Sequence, residues 1–126
     1  MSSVKDACKA SIQKLTASAD VCDKYVKGSA SRKDCIQPSR EAAAASKKVI
    51  EACREHLKTC KNGICAAVCN ACIKTAEKSV EKNTACFDAC GGRSSDDDCK
   101  IVCKDCADAC RACIKSCQDC IAKICS

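Results

Sequence analysis

Along this chain apolar residues and cysteines recur in alternating steps of four and three, with Lys, Asp and Glu filling the positions between them. That rhythm keeps one face of an α-helix in phase, and it predicts four helices. The first spans about residues 3–27 on Cys8, Ile12, Leu15, Ala19, Cys22 and Val26, and Gly28 stops it. A polar stretch, GSASRKDCIQPS, reads as the one loop of any length and ends at Pro38. The second helix covers 39–61, with Ala42, Ser46, Val49, Cys53, His56 and Cys60 in phase, and Asn62 and Gly63 form a short stop. The third covers 64–90 with Cys65, Cys69, Cys72, Ala76, Ser79, Asn83, Cys86 and Cys90 in phase, before Gly91 and Gly92 break it. The fourth covers 96–125 and is capped by Ser95 or Asp96, with aspartates in its first turn where the helix dipole favours them. Its seam is Cys99, Cys103, Cys106, Cys110, Cys113, Cys117 and Cys120; Ile124 holds the next position, and Cys125 falls one residue late.

A second apolar line flanks the last three seams: Ala43, Ile50, Leu57; then Ala66, Ile73, Val80, Phe87; then Ala107, Ile114, Ile121. Three apolar positions in seven is the pattern of a globular bundle, whereas a lone two-stranded coil needs two. Short connections make neighbours antiparallel. The expected fold is all-α, an antiparallel four-helix bundle occupying residues 1–126 as a single domain, with a cysteine-lined core.

Composition changes the picture of what fills that core. The 126 residues include 18 Cys and 20 Ala but one Phe, one Tyr and no Trp. So few large apolar side chains cannot by themselves offset the entropy of ordering a chain of this length. Something else must fill or cross-link the interior.

The formal net charge of +6 comes from Lys and Arg interspersed with Asp and Glu, which is a solvated surface. With almost no aromatic residues to stack on bases, the expectation is no nucleic-acid partner. Apolar runs are a few residues long, so no membrane span is expected. The start, MSSVKDACKAS, lacks a basic segment followed by an apolar one, which points to a cytoplasmic location; an exported mature form with its signal removed would read the same. No acid–base pair or partnered nucleophile stands out, so the chain is not expected to be an enzyme.

The chemistry lies in the thiols. Residues four apart on a helix have Cβ atoms roughly 5–6 Å apart, and a disulfide wants about 3.8 Å, so neighbours on one helix do not readily oxidise onto each other. Two sulfurs on opposite sides of one metal ion sit about 4.5 Å apart when each bond is near 2.3 Å, a gap that Cys-x3-Cys can span. Such a pair suits a soft, monovalent, low-coordination ion, and among the metals thiolates select, Cu(I) is that ion. Zinc held by four thiolates leaves a net charge of about −2 per site, costly when many sites share one dry core. It also commonly brings His or carboxylate ligands, and His56 is the sole histidine. The familiar iron–sulfur spacings sit in loops, unlike these.

Between Cys53 and Cys125 the segments CAAVCNAC and CKIVCKDCADACRACIKSCQDC resemble the bacterial copper storage proteins, four-helix bundles that hold many Cu(I) ions along their interior; 18 thiols suits the cytosolic branch. The resemblance implies that the pairs Cys65/Cys69, Cys86/Cys90, Cys99/Cys103, Cys106/Cys110 and Cys113/Cys117 each clamp copper. It further implies that Cys8, Cys22, Cys53, Cys60, Cys72 and Cys120 bridge between helices and that copies self-associate as a homo-oligomer; a copper chaperone or small-thiol donor is the expected partner that supplies the ion. Members of that family often carry His or Met near the bundle mouth; here there are Met1 and His56.

Some positions stay open at this level. His56 is in phase with Cys53 and Cys60, as a ligand or as a core-edge histidine satisfied by a carbonyl. Cys35 lies in the loop, out of phase with the seams, as a peripheral ligand or a free thiol. Cys125 is expected to be a ligand at the helix end, and Ser79 and Asn83 to be structural polar contacts. Two other functions compete: a disulfide-stapled helical hairpin, joining Cys86 to Cys103 and Cys90 to Cys99, and a zinc or mixed-metal thiolate buffer.

Antiparallel packing also predicts a layout. Cys8, Cys53, Cys60, Cys65, Cys69, Cys72, Cys113, Cys117 and Cys120 gather at one end, and Cys22, Cys86, Cys90, Cys99, Cys103 and Cys106 at the other. A partly apolar waist of Leu15, Ala19, Val49, Ala76 and Val80 separates them, bridged mainly by Cys110.

Overall fold

The structure is a computed structural model and describes residues 3–124. Its helices are α1 (Val4–Val26), α2 (Ile36–Thr59), α3 (Gly63–Gly91) and α4 (Asp96–Lys123), with one 3-10 turn, Arg32–Cys35, leading into α2. Each helix packs on the next and α4 returns onto α1, closing an antiparallel four-helix bundle. Cys125 lies outside the described residues.

The ends follow local chemistry. Ser3, Asn62 and Ser95 cap α1, α3 and α4, each side chain accepting a hydrogen bond from the backbone N–H three residues on. Asn62, expected as part of a stop, therefore starts α3. Three aspartates occupy the first turn of α4, where the orphaned N–H groups favour negative charge. α1 ends in a Schellman arrangement, with Gly28 N–H donating to the Tyr25 carbonyl at 3.0 Å and Ser29 N–H to the Lys24 carbonyl at 2.7 Å. Gly28 has φ +84°, a conformation that favours glycine.

Helix 2 begins three residues earlier than the sequence suggests. Pro38 lies in its first turn, where its missing N–H costs nothing, so it marks the helix start and not the end of a loop. Cys35 caps α2 and is buried, and counting back from Cys53 through Val49, Ser46, Ala42 and Ser39 it continues the same face by one turn. The expectation that Cys35 is out of phase is thus corrected.

The seams of α3 and α4 lie in the core at every position named above, from Cys65 to Cys90 and from Cys99 to Ile124. On α1 the buried face is rotated from the expected one: Ser11, Ser18 and Tyr25 are buried, and Ile12 and Val26 move to its edge. Val80 is likewise half-buried, and Ser79 and Asn83 take the centre. The waist keeps Leu15, Ala19, Val49 and Ala76, but the buried polar residues Ser11, Ser18, Ser39, Ser46, Ser79 and Asn83 cross it or lie beside it. A partly apolar waist is therefore a mainly polar one.

Those polar groups satisfy one another. The Ser18 hydroxyl donates to Asn83 Oδ1 at 2.7 Å, Asn83 Nδ2 donates to the Ser79 carbonyl at 2.9 Å, and the Ser46 and Ser79 hydroxyls lie 2.9 Å apart. Buried polar groups are tolerated on this condition. Ser11 Oγ is the exception among the described residues, with no hydrogen-bond partner.

Candidate metal centre

The face that would carry leucines in an ordinary bundle carries sulfur here, and antiparallel packing turns it inward from all four helices. Near the turn between α3 and α4, Cys22, Cys35, Cys86, Cys90 and Cys103 form one chamber, which we call sealed, and the buried Cys99 beside the same turn donates to the Ala89 carbonyl at 3.4 Å. Sγ–Sγ distances are 3.3 Å for Cys86–Cys103, 3.5 Å for Cys90–Cys103 and 3.6 Å for Cys22–Cys86. Cys22, Cys35 and Cys103 place their sulfurs within 4.8 Å of one another, as do Cys22, Cys86 and Cys106. Cys86 and Cys103 do face each other, as the hairpin reading requires, but as free thiols, at a separation well beyond the ~2.05 Å of a disulfide bond.

A cover closes this end. Arg32 donates to the carbonyls of Ser94 at 2.6 Å and Ala89 at 2.7 Å, with longer bonds to Cys90 and Gly92 at 3.4 Å and an ion pair to Asp96 at 3.5 Å. Tyr25 is buried beside it, its hydroxyl donating to Asp96 Oδ1 at 2.9 Å. Burial and the Asp96 carboxylate both push the Tyr25 phenol above its ordinary pKa.

At the other end Cys8, Cys53, Cys69, Cys72, Cys117 and Cys120 form the second chamber. Cys72 Sγ stands 3.9 Å from both Cys8 and Cys117, and Cys53, Cys72 and Cys120 form another group within 4.8 Å. Beyond it lies the mouth. There the half-buried His56 and Cys60 meet Cys65, with His56 Nε2 2.9 Å from Cys65 Sγ. His56 therefore faces a thiol, as a ligand would.

Between the chambers stand Cys110 and Cys113 of α4, with Cys106 at the inner edge of the sealed chamber, where it reaches Cys22 and Cys86; all three are buried. Cys106 donates to Asn83 Oδ1 at 3.1 Å, and Asn83 Nδ2 donates to Cys110 Sγ at 3.3 Å. Along α4 the thiols of Cys106 and Cys110 interact side by side, as do those of Cys113 and Cys117.

Crowded thiols ionise as a group. In the sealed chamber Cys86 gathers hydrogen bonds from Cys103, Cys106, Cys22 and Cys35, which lower its pKa, while that of Cys103 is raised by Cys22, Cys35, Cys86 and Cys90. Cys35 is drawn down by Cys103 and Cys22 but pushed further up by Cys86, Cys90 and burial, to about 12. In the second chamber Cys120 is lowered by hydrogen bonds from Cys53, Cys72 and Cys8; Cys53 is raised by Cys120, Cys72 and burial. Burial raises Cys69 first, and the neighbouring Cys53 and Cys120 charges add to it. Within each chamber the thiols thus resist ionising together. A metal cation removes that resistance by supplying the missing positive charge.

The spacing fits such an ion. Two ligands about 2.3 Å from one metal are separated by roughly 3.8–4.6 Å as the angle between them opens from tetrahedral to linear; the 3.9 Å separations in the second chamber fall in that range, and those of 3.3–3.6 Å in the sealed chamber need a small opening to reach it. Many cysteines therefore cluster in buried groups able to bind metal.

The chain matches no family model, no curated protein and no solved structure. Its chemistry is carried by its own geometry. A surface groove of about 470 Å³ between α1 and α2 is lined by Ala7, Ala10, Ala44 and Ala45 and flanked by Asp6, Lys48 and the Lys14–Glu41 ion pair; no sulfur reaches it. No helix among the described residues is long and apolar enough to cross a membrane.

Missed in the sequence were the core positions of Cys35, Ser18 and Ser39. Ser39 donates to Cys86 Sγ at 3.3 Å, and Ser18 lies 3.7 Å from Cys106 Sγ. A signal existed: Ser11 and Ser18, and Ser39, Ser46 and Cys53, repeat at intervals of seven.

Proposed function

We propose that the chain stores or buffers several Cu(I) ions in its thiol core, as a binding protein and not an enzyme. The observation that carries the reading is the concentration of buried sulfur from both chambers along one axis with no carboxylate among the metal-competent groups named above. Charge then favours a monovalent ion. Each Cu(I) that displaces one thiol proton leaves the formal net charge of +6 unchanged. Each zinc bound by four thiolates would lower it by about two, so roughly four such sites would reverse its sign. The resemblance to copper storage proteins supports the same conclusion, as does the preference of thiolates for Cu(I). At the mouth, where His56 nitrogen joins Cys60 and Cys65, zinc competes best, because imidazole suits it. A copper chaperone or small-thiol complex would deliver copper by thiolate exchange.

Anaerobic titration of the reduced protein with Cu(I) against a chromogenic chelator tests the proposal. Saturation well above four ions, with unchanged electrophoretic charge, is expected. Saturation at four or fewer would exclude storage, and a sign reversal with zinc as the tighter ligand would favour the mixed-metal buffer.

A further inference from the structure

The two chambers are joined by one helix. α1, α2 and α3 carry no cysteine over residues 9–21, 36–52 and 73–85, and their buried positions there include Ser18, Ser46, Ser79 and Asn83. Neutral hydroxyl and amide groups of this kind are poor ligands for a soft ion. Across the same section α4 keeps three sulfurs, Cys106, Cys110 and Cys113. Over the far chamber the Arg32 guanidinium ties the Ser94 and Ala89 carbonyls together and leaves Cys90 5% exposed, whereas the near chamber leads to the half-buried His56 and Cys60.

Resting on the Cu(I) reading above, we infer that α4 is an internal transfer path, and that the sealed chamber fills only by copper passing along Cys113, Cys110 and Cys106. In the central step Cu(I) stays bound to Cys110 while its bond to Cys113 Sγ breaks and a bond to Cys106 Sγ forms; in the next, its bond to Cys110 breaks as a bond to Cys22 or Cys86 Sγ forms, both within reach of Cys106. Each time the proton of the incoming thiol passes to the released thiolate, and copper remains monovalent throughout. The polar belt holds the path without competing for the ion: Asn83 Oδ1 takes the S–H of Cys106, and Asn83 Nδ2 supports the sulfur of Cys110. No charged group lies among the buried polar residues of the belt, so none repels the ion or traps it there. A store built this way fills from one end and empties in reverse order.

The test adds Cu(I), as its acetonitrile complex under nitrogen, to the whole reduced protein and follows the amount bound with time. Wild type should load in a fast and a slow phase. C110S should keep the fast phase and lose the slow one, its capacity within that time falling by the share of the sealed chamber and not by a single ion. R32A, which opens the cover, should accelerate the slow phase, and R32A combined with C110S should regain it. Circular dichroism checks folding; if C110S loses helix, C106S is read the same way. Full loading of C110S at the wild-type rate, a deficit of one ion, or no change of the slow phase in R32A would each overturn the transfer path. Wild type that binds four ions or fewer would instead overturn the storage reading itself.

Discussion

The sealed chamber and the mouth chamber hold thiols at similar density, yet they end differently. At one end a guanidinium ties together the carbonyls of a turn; at the other the last donors, His56 and Cys60, are half-exposed. A bundle with two equal ends would exchange its contents from either side. Here one end is held by hydrogen bonds to backbone carbonyls and the other presents donor groups at its rim. On the storage reading proposed above, capacity and access are set by different residues and can be altered separately.

The largest expected effect erases the difference between the ends altogether. Full copper loading should raise the melting temperature far above that of the reduced apo protein, because a ligand at a hundred times its Kd contributes about 2.7 kcal/mol per site and several sites add. Differential scanning calorimetry measures this, and equal melting points would contradict a metal-tightened core. Next comes the waist that couples the two ends. Leu15 is the largest fully buried aliphatic side chain, and Leu15→Ala should cost roughly 2–5 kcal/mol in urea unfolding. A single transition in that variant would show the ends still unfolding together.

The ends themselves should then separate by mutation. Arg32→Ala breaks charge-assisted bonds at the sealed end and should cost about 1–3 kcal/mol, whereas Lys58→Ala, removing an exposed Lys58–Glu55 pair near the mouth, should change stability by less than about 0.5 kcal/mol. Equal losses would mean that closure at the Arg32 end is not special. The smallest effect belongs to Ser11, whose hydroxyl is buried without a partner: Ser11→Ala should leave stability unchanged or raise it by up to roughly 1 kcal/mol.

Proton dependence has a definite sign. Cys35, near 12, and Cys53 and Cys69, also raised, bind protons more tightly folded than unfolded. Their contribution to apo stability is fully present below the unfolded thiol value of about 8.5 and is lost as pH rises toward the folded values. Melting of the apo protein should therefore fall on the alkaline side of that value, while copper affinity, which requires deprotonated sulfur, falls as pH drops. An apo melting point that climbs through the alkaline range would reverse the assignment.

The sequence made α3 and α4 legible because cysteine marked the seam of α4 at every turn and both ends of the seam of α3, with Ala76, Ser79 and Asn83 keeping phase between them. It was less informative on α1, where counting apolar residues favours Ile12 over Ser11 and Ala19 over Ser18. A buried serine is acceptable when a partner arrives from another helix, as Asn83 does for Ser18, and that partner is 65 residues away in the chain. Cys35 was obscured for a different reason. The 3-10 turn that ends on it and the proline after it look like loop punctuation, although a proline in the first turn is compatible with the helix. The chambers themselves followed from cysteine position plus antiparallel pairing. The polar lining of the waist did not, since it depends on cross-helix hydrogen bonds.

The covered end has an optical consequence. Tyr25 is the only tyrosine and there is no tryptophan, so the native ultraviolet emission comes almost entirely from one ring, buried beside Asp96 and Arg32. That fluorophore stands against the sealed chamber and far from the mouth. If the sealed chamber fills last, as inferred above, quenching of this ring should report the last ions to arrive and stay silent for the first, giving an unlabelled protein its own clock for the order of filling.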